Sequence, residues 1–465
     1  MEPRALGYFA EACGGEVRYA DPGVAVTRVC TDSRELLPGD LFVALSGERF
    51  DGHGFVSEAV HRGAVAAVVA EREAARFRGL PLLVVPEPRR ALGRMAARYR
   101  TDFRIPVIAV AGSNGKTSTK ELLGALLGGC FATHRSRDSF NNDVGVPVTL
   151  LGLESRHLAA VVEVGTNHPG ELAPLVRLAS PRIGVLTHIG EEHLEFFGSL
   201  RGVVEEEGWV ADLLPPDGLL VLPGDQPWTA AIVARTRARV IRTGEGAGCD
   251  WRVTRVVADA DGTTFDVHGP RGDLSGEYRI NWIGRHQVSN AVLALAVAAE
   301  FGLGRDELRR GLLQATPAKW RMNRWDFEGV QVIEDCYNSN PDSMLAALES
   351  LRAFPCSGRR IVVMGAMAEL GGHTVRAHER VGRRAAELGI DRLIGVGEDA
   401  TISVEVAVEA GLAQAAAVDA VETAAASLRA YLRPGDCLLI KGSRSARLER
   451  LGVLLREQAS LQYAA

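Results

Sequence analysis

Short apolar runs alternate with helically spaced segments along the chain, beginning within its first hundred residues. Residues 40–45, 64–70 and 82–85 are apolar runs of strand length and predict three β-strands. Residues 91–99 place apolar side chains at helical spacing and predict a helix. Ile105-Pro106 marks a break before the next strand. This pattern predicts a small α/β unit at the N-terminus.

From residue 107 strand and helix patterns alternate more regularly. Residues 107–111 form a short apolar strand, a glycine-rich loop follows at once, and residues 117–127 have helical spacing. Further apolar strands are predicted at residues 159–164, 183–187 and 219–222. Alternating apolar and polar residues with glycine turns between 250 and 282 predict an antiparallel patch, and residues 284–301 predict a helix.

A third region begins near Thr316-Pro317. Strands are predicted at residues 330–335, 360–364, 391–396 and 436–441, with helices between them and an Ala-rich strand and helix over 413–426. Strands that alternate with helices are typical of a parallel, doubly wound sheet. We therefore expect an α/β protein of three domains, covering residues 1–103, 104–316 and 317–465.

The glycine-rich loop is the strongest chemical signal. It reads Gly112-Ser113-Asn114-Gly115-Lys116-Thr117, between an apolar strand and a helix. In such a loop the backbone N–H groups and the helix N-terminus attract phosphate, and the lysine adds a full positive charge. The threonine hydroxyl lies where a nucleotide-bound magnesium would be held. The standard motif has four residues between its glycines and this loop has two, so the sequence predicts a shortened ATP site.

Composition excludes several classes of function. The 465 residues carry a formal net charge of -5, which gives no electrostatic reason to expect a nucleic-acid or membrane partner. No apolar run approaches the roughly 18–20 residues of a membrane-spanning helix, and the N-terminus lacks a signal-peptide pattern. Seven cysteines without zinc spacing indicate reduced thiols in a cytoplasmic protein. The only lysines are Lys116, Lys120, Lys319 and Lys441, which limits where a lysine can do chemistry.

Ordered motifs over nearly the whole chain resemble the Mur ligase family of peptidoglycan synthesis. They are TDSR (31–34), LFVALSGERFDGH (41–53), AGSNGKTSTKE (111–121), SFNNDVGVPVTLL (139–151), VVEVGTNHPGE (161–171), THIGEEHLEFFGS (187–199), GRHQVSNA (284–291), EDCYNSNPDSM (334–344), MAELG (367–371) and KGSRSARLE (441–449). Related ligases of earlier steps and folylpolyglutamate synthases tend to carry Tyr-Ala-His or Ala-His-x-Pro in the third domain. Here residues 337–341 read YNSNP, which is similar to the branch that adds D-alanyl-D-alanine.

The resemblance implies a fold and a reaction. The implied fold has a small N-terminal α/β UDP-binding domain, a central P-loop domain with a parallel sheet, and a C-terminal Rossmann-like doubly wound domain. The implied reaction joins D-alanyl-D-alanine to UDP-N-acetylmuramoyl-tripeptide at the expense of ATP, with magnesium, in a cytoplasmic monomer. A substrate carboxylate attacks the γ-phosphate, and the amine then attacks the resulting acyl phosphate. Such catalysis depends on positioning and electrostatic stabilisation.

The resemblance also implies roles for the nucleotide site. Lys116 is expected at the β- and γ-phosphates, Thr117 and Glu163 at one magnesium, and His193 at a second. Glu163 ends an apolar strand, where a carboxylate on a parallel sheet faces the ligand crevice. The other expected nucleotide contacts are Gly112, Ser113, Asn114, Gly115 and Ser118, with Asn290 at the adenine and Arg321, Asp335 and Asn338 in the third domain. The cleft would then form only when the third domain closes.

Expected substrate contacts lie in the first two domains. They are Thr31, Asp32, Ser33, Arg34, Gly47, Arg49, Asn142 and Asn167. An alternative interpretation is that Asn142 and Asn167 stabilise turns or cap helices instead.

The sequence departs from the family at two positions. A lysine after the HLE motif is usually carbamylated in the family, and Glu207 occupies that position here. No lysine lies between Lys120 and Lys319, so no neighbour can replace it. Glu207 is about 3–4 Å shorter, and the hypothesis is that it acts through water or an inward helix shift, with Glu206 sharing the role. The alternative is a solvated acidic turn. Ala366 stands where the family often has Asp.

Three functions remain open at this point. The first is the D-alanyl-D-alanine-adding ligase, and the second is a ligase of the same fold with another acyl acceptor. The third is a non-catalytic nucleotide-binding paralogue. The sequence favours the first, because Lys116, Thr117, Glu163 and His193 are all present together with the first-domain UDP motif. It does not distinguish diaminopimelate from lysine as the third residue of the tripeptide.

Overall fold

A computed structural model describes residues 1–47 and 50–462, with side chains described to residue 457. Its N-terminal part contains a five-stranded sheet of order β2-β7-β6-β5-β4 and a small β1-β3 pair. Strands β4 to β7 are parallel, and β2 pairs antiparallel with β7. The elements are β1 (Arg4–Ala5), α1 (Leu6–Cys13), β2 (Glu16–Arg18), β3 (Ala25–Val26), β4 (Arg28–Cys30), β5 (Asp40–Val43), α2 (Val56–His61), β6 (Ala66–Ala70), β7 (Leu82–Val85) and α3 (Pro88–Arg100).

The central part is built on a nine-stranded sheet of order β16-β15-β14-β13-β12-β11-β8-β10-β9. Its strands are β8 (Val107–Ala111), β9 (Thr133–Arg135), β10 (Ala159–Glu163), β11 (Ile183–Leu186), β12 (Leu219–Pro223), β13 (Arg239–Gly244), β14 (Trp251–Ala258), β15 (Thr263–His268) and β16 (Gly276–Ile280). Its helices are α4 (Lys116–Gly128), α5 (Gly145–Leu151), α6 (Leu172–Ala179), α7 (Leu194–Phe197), α8 (Leu200–Glu207), α9 (Trp209–Asp212), α10 (Thr229–Val233), α11 (Arg285–Glu300) and α12 (Arg305–Gln314).

The C-terminal part has a six-stranded sheet of order β17-β18-β22-β19-β20-β21. All its pairings are parallel except β17 with β18. The elements are β17 (Asn323–Phe327), β18 (Val330–Asp335), α13 (Pro341–Ala353), β19 (Arg360–Gly365), α14 (Thr374–Glu387), β20 (Arg392–Val396), α15 (Glu398–Glu409), β21 (Ala415–Val418), α16 (Val421–Tyr431), β22 (Cys437–Lys441) and α17 (Glu449–Gln462).

The three-domain α/β fold predicted from the sequence is confirmed, with one refinement. The predicted antiparallel patch is the ribbon β14-β15-β16, and it extends the central sheet instead of forming a separate one. Strand β8 is continuously apolar because both of its faces are covered. Val107, Ala109 and Ala111 pack into one core cluster, and Ile108 and Val110 pack into another. Among the described residues, no helix combines the length and apolarity needed to cross a bilayer.

Strand order determines where a ligand can bind. Strand β8 lies between β10 and β11, because the chain passes from β8 to β9 on one side of it and later crosses from β10 to β11 on the other. In open α/β sheets such a reversal opens a crevice at the carboxyl ends of the strands. The phosphate loop follows Ala111, and Glu163 is the last residue of the neighbouring strand. The fold therefore brings these two sequence motifs together.

Candidate active site

A large cleft of about 900 Å³ lies between the central and C-terminal domains. This size is typical of a small-molecule or cofactor site. The described residues that line it include most of the predicted nucleotide and metal residues, namely Ser113, Asn114, Gly115, Lys116, Thr117, Ser118, Glu163, His193, Asn290, Arg321, Asp335 and Asn338, and two predicted substrate residues, Asn142 and Asn167. Gly112 lies at the base of the same loop and Glu207 is buried behind it.

The phosphate loop is held rigidly by its neighbours. Gly112 and Gly115 have φ angles of 117° and 93°, which favour glycine. A Cβ at Gly115 would lie 2.3 Å from Oδ1 of Asn290. The amides of Ser113 and Asn114 donate to the carbonyl of His188 at 2.8 and 3.1 Å. These contacts fix the open end of the loop where helix α4 begins.

Lys116 bends back over this loop. Its Nζ donates to the carbonyls of Gly112 and Ser113, the latter at 3.2 Å. The same Nζ lies 3.8 Å from Oε2 of buried Glu192. If the Lys116 ammonium group leaves these carbonyls, it can bind phosphate oxygens instead. Glu192 was not predicted as a site residue, although it lies inside the recognised GEEHLE motif.

Thr117 and Glu163, which are predicted to share one magnesium, lie in contact. Thr117 Oγ1 donates to Glu163 Oε1 at 3.1 Å, and Asn141 Nδ2 donates to the same oxygen at 2.9 Å. Buried Lys120 lies 3.9 Å from Oε2 of Glu163 and donates to the carbonyl of Ser136 at 3.1 Å. Burying a charged carboxylate requires such compensation. Neither Lys120 nor Asn141 is predicted as a site residue from the sequence, although the scarcity of lysines singles out Lys120.

His193 stands at the N-cap of α7 with a left-handed backbone, φ 47°. Its Nε2 lies 3.9 Å from the Glu192 oxygen that also faces Lys116. Its Nδ1 is hydrogen-bonded to Glu369 of the C-terminal domain. The imidazole therefore lies between the phosphate loop and the third domain.

Glu207 does not lie in a solvated acidic turn. Its neighbour Glu205 faces solvent and pairs with Arg201, but Glu207 is fully buried. Neither oxygen of Glu207 has a described partner that meets hydrogen-bond geometry. Burial raises the pKa of Glu207 to about 8, opposed by the charge of Lys116 and reinforced by Glu192.

Glu206 is not available to share the predicted role of Glu207. Its two oxygens accept the backbone amides of Gly170 and Leu172 at 2.9 and 2.8 Å. These bonds tie helix α8 to the start of helix α6. The prediction that Glu206 shares the role of Glu207 is therefore wrong, because both carboxylate oxygens of Glu206 already accept hydrogen bonds.

The C-terminal side of the cleft carries a second lysine. Lys441 Nζ lies 2.6 Å from Oδ2 of Asp335 and donates to the carbonyl of Asn338 at 3.2 Å. The pairing follows from sheet register, which places Asp335 opposite Lys441 at the ends of β18 and β22. The guanidinium of Arg321 lies 4.3 Å from the centre of the Tyr337 ring. Lys441 was noted in a motif but not predicted as a site residue.

Asn142 and Asn167 occupy the rim. The Oδ1 atom of Asn142 accepts the amides of Val144 and Gly145 at 3.2 and 2.9 Å, which is the alternative cap role. The backbone amide of Asn167 donates to Glu171 at 2.8 Å, and its side chain lines the cleft. Both remain predictions as substrate residues.

The predicted first-domain residues that the structure describes do not line this cleft. Asp32 caps a short turn and pairs with Arg34 at 2.6 Å, and this guanidinium lowers the pKa of Asp32 to about 2. Thr31 and Ser33 flank Asp32, and the Gly47 amide donates to the Phe50 carbonyl at 2.9 Å. Arg49 lies outside the described residues.

A smaller pocket of about 220 Å³ lies beyond the carboxyl ends of β5, β6 and β7. Its lining residues are Ser46, His53, Ala70, Arg72, Pro86, Glu87, Pro88 and Arg89. Arg89 also bonds Asp143 of the central domain at 2.9 Å, next to Asn142. The pocket is thus connected to the rim of the large cleft by one ion pair.

Comparisons with known proteins agree with this architecture. The Mur ligase middle domain matches residues 110–298, the Mur ligase glutamate ligase domain matches 320–444, and the Mur ligase family catalytic domain matches 25–100. The UDP-N-acetylmuramoyl-tripeptide--D-alanyl-D-alanine ligase of Escherichia coli is 34% identical over 461 residues, covering 98% of this chain and 99% of its own.

The chain belongs to the Mur ligase family.

Solved members of the family share the whole fold. A crystal structure of MurF from Acinetobacter baumannii superposes with a TM-score of 0.89 at 33% identity, covering 98% of this chain and 99% of that one. MurF ligase from Thermotoga maritima in complex with ADP superposes with a TM-score of 0.82 at 26% identity, covering 94% and 99%. The family resemblance inferred from the motifs is therefore confirmed.

Proposed function

We propose that this protein joins D-alanyl-D-alanine to UDP-N-acetylmuramoyl-tripeptide and converts ATP to ADP and phosphate. The observation that carries the proposal is the cleft in which Lys116 and Thr117 face Asp335 and Lys441 across two domains. Near-full-length similarity to ligases of this name supports the substrate assignment. ATP chemistry supports a cytoplasmic location, and a monomer is proposed from the family resemblance alone.

The residues fit a two-step amide synthesis. A tripeptide carboxylate oxygen attacks the γ-phosphorus, the bond to the β–γ bridging oxygen breaks, and ADP leaves. The dipeptide amine then attacks the acyl carbon, phosphate leaves, and the amine gives up a proton. Lys116 would turn from the carbonyls of Gly112 and Ser113 to the phosphate oxygens. Fixed cations beside developing anionic charge supply most of the stabilisation in such reactions.

The donor set also fits magnesium. Thr117 Oγ1 and Glu163 lie together, and Oε2 of Glu163 is buried without a hydrogen-bond partner. Glu207 presents two more such oxygens behind the loop. Among the described residues, no three His, Cys, Asp or Glu side chains surround one point. Magnesium commonly takes one or two protein ligands and completes its shell with phosphate and water.

We assign Thr117 and Glu163 to one magnesium, and His193 with Glu207 to a second. Bound magnesium would neutralise charge on the transferring phosphoryl group. Glu207 would then supply negative charge through water, in place of the modified lysine that the family resemblance implies. Lys116 favours the charged form of Glu207, while burial and Glu192 favour the protonated form.

The UDP end of the substrate is proposed to bind at the N-terminal domain. The pocket beyond β5, β6 and β7 carries Arg72 and Arg89, which suit diphosphate oxygens. The Arg89–Asp143 bond leads from this pocket to Asn142 on the cleft rim. The peptide could therefore extend from one domain to the phosphate loop of the next.

The decisive experiment measures phosphate release with each component omitted in turn. We expect release to require ATP, UDP-N-acetylmuramoyl-tripeptide and D-alanyl-D-alanine together. Single D-alanine in place of the dipeptide serves as the acceptor control. Release that continues without the dipeptide would contradict the assignment and favour another acceptor.

A lysine pair supplies a matched test of the site. We expect Lys116→Ala to lower kcat at least about 100-fold, because it removes the cation nearest the transferred phosphoryl group. Lys319→Ala is the control, since Lys319 packs over the Trp320 ring away from the cleft lining. Equal losses in both variants would argue against a phosphate role for Lys116.

A further inference from the structure

The contact between His193 and Glu369 joins two domains across the cleft, and both residues have a left-handed backbone. His193 belongs to the central domain, and Glu369 belongs to the loop between β19 and α14. Their φ angles are 47° and 61°, and neither residue is glycine. Left-handed backbone at such residues is costly, and it persists mainly where the surroundings impose it.

Backbone contacts hold the Glu369 loop against α7. The amide of Glu195 donates to the Glu369 carbonyl at 3.1 Å. A Cβ at Gly371 would lie 3.2 Å from the Cα of Glu195, so the two segments pack closely. At the base of the loop, the Met367 amide donates to Nε2 of buried His378 at 3.3 Å. The carboxylate of Glu369 is therefore presented by a supported loop.

Stability does not explain this pair. The Glu369 side chain is 44% exposed, and ion pairs that exposed contribute little to folding free energy. The His193 side chain is only 13% exposed and faces the cleft. A carboxylate that accepts a hydrogen bond from one imidazole nitrogen fixes both the tautomer and the ring orientation.

We propose that Glu369 is a positioning residue that sets the His193 imidazole when the C-terminal domain closes. Nδ1–H donates to the Glu369 carboxylate, and Nε2 is left without a proton on the side of Glu192 and Lys116. The inference rests on the proposed function, because it assigns Nε2 to the phosphate side of the ligase site. On this proposal, the His193 imidazole is correctly oriented only when the C-terminal domain is closed on the central domain.

The direct test is spectroscopic and needs no turnover. In protein labelled with 15N-histidine, the His193 signals are identified by their loss in His193→Ala. We expect wild-type protein to show the Nδ1–H tautomer, and Glu369→Ala to shift it towards a mixture. Glu369→Gln retains an acceptor oxygen and should retain the tautomer. An unchanged His193 signal in Glu369→Ala would overturn the proposal, whether or not the ligase assignment is correct.

A double-mutant cycle supplies the kinetic test. We expect Glu369→Ala to lower kcat by about 10- to 100-fold, and to have little further effect in the His193→Ala background. Glu349→Ala is the control, because Glu349 is a similarly exposed C-terminal glutamate that pairs with Arg384 outside the cleft lining. Full additivity of the two losses would show that Glu369 acts independently of His193 and would refute the proposal.

Discussion

At the residue scale, the site is a set of buried charges that compensate one another. Lys120 offsets Glu163, and Lys116 lies between the loop carbonyls and Glu192. Glu207 is the exception, because its carboxyl has no described hydrogen-bond partner. Charges that are buried without partners are costly, so protonation of Glu207 is expected to stabilise the ligand-free protein.

Glu207 gives a pH-dependent stability prediction. Its folded pKa of about 8 lies above its ordinary value of 4.5, so the folded state holds this proton more tightly than the unfolded state. Its contribution is fully present below pH 4.5 and is lost as the pH rises to about 8. Without magnesium, we expect Glu207→Gln to gain stability relative to wild type across this window, and the gain to level off above pH 8.

Chemical denaturation at several pH values measures this difference. Glu205→Gln on the same helix is the matched control, since Glu205 is exposed and pairs with Arg201. A difference between wild type and Glu207→Gln that does not vary with pH would show that the carboxyl does not titrate in this window.

At the element scale, the sequence predicted most of the fold because strand and helix periods are local properties. The apolar run 107–111 and the loop after it were located correctly, since a strand buried on both faces has no polar positions. The register that places Asp335 opposite Lys441 was not predictable, because it arises from pairing between distant segments. For the same reason the roles of Lys120, Glu192 and Glu369 appeared only in the folded chain.

The loop at the start of α4 provides an element-scale prediction. We expect Gly115→Ala to destabilise the protein by about 1–3 kcal/mol, because its φ of 93° is unfavourable for alanine and its Cβ would meet Asn290. ATP binding should weaken in parallel. Gly128→Ala at the other end of α4 is the control, since nothing lies within 4 Å of the added Cβ. We expect this control to be neutral or slightly stabilising, and equal effects in both variants would exclude a special loop conformation.

At the scale of the whole molecule, the central and C-terminal domains meet around one cleft, and polar contacts hold the C-terminal domain on the central one. The side-chain amide of Asn114 donates to Oδ1 of Asn340 at 3.2 Å, and the side-chain amide of Asn340 donates to Oδ1 of Asn114 at 2.9 Å. Asp342 accepts the Glu191 backbone amide at 2.9 Å, and Arg380 donates to the Glu191 carboxylate at 2.8 Å. Polar interfaces between domains permit domain motion. The sequence motifs alone did not show that the residues that close the C-terminal domain on the central one also form part of the cleft.

Asp342 is the residue that tests this closure. Contacts with His188, the Glu191 amide and Arg380 outweigh the effect of its burial and lower the pKa of Asp342 to about 2. Its contribution to closure is therefore present above its ordinary pKa of 3.8 and is lost only as the pH falls through about 2. We expect Asp342→Asn to weaken the domain contact at neutral pH, because one anion no longer faces His188 and the Glu191 amide of the central domain.

Small-angle scattering should then show a larger radius of gyration for Asp342→Asn, with ATP and magnesium reducing the difference. Asp326→Asn is the control, because Asp326 bonds Gly329 and Gln331 within its own domain. If both variants scatter like wild type, the C-terminal domain is held by other contacts.

Since Glu369 reaches His193 only across this interface, a more open Asp342→Asn should also lose the His193 tautomer preference. If Asp342→Asn opens the domains but His193 keeps its tautomer preference, domain closure is not what positions His193.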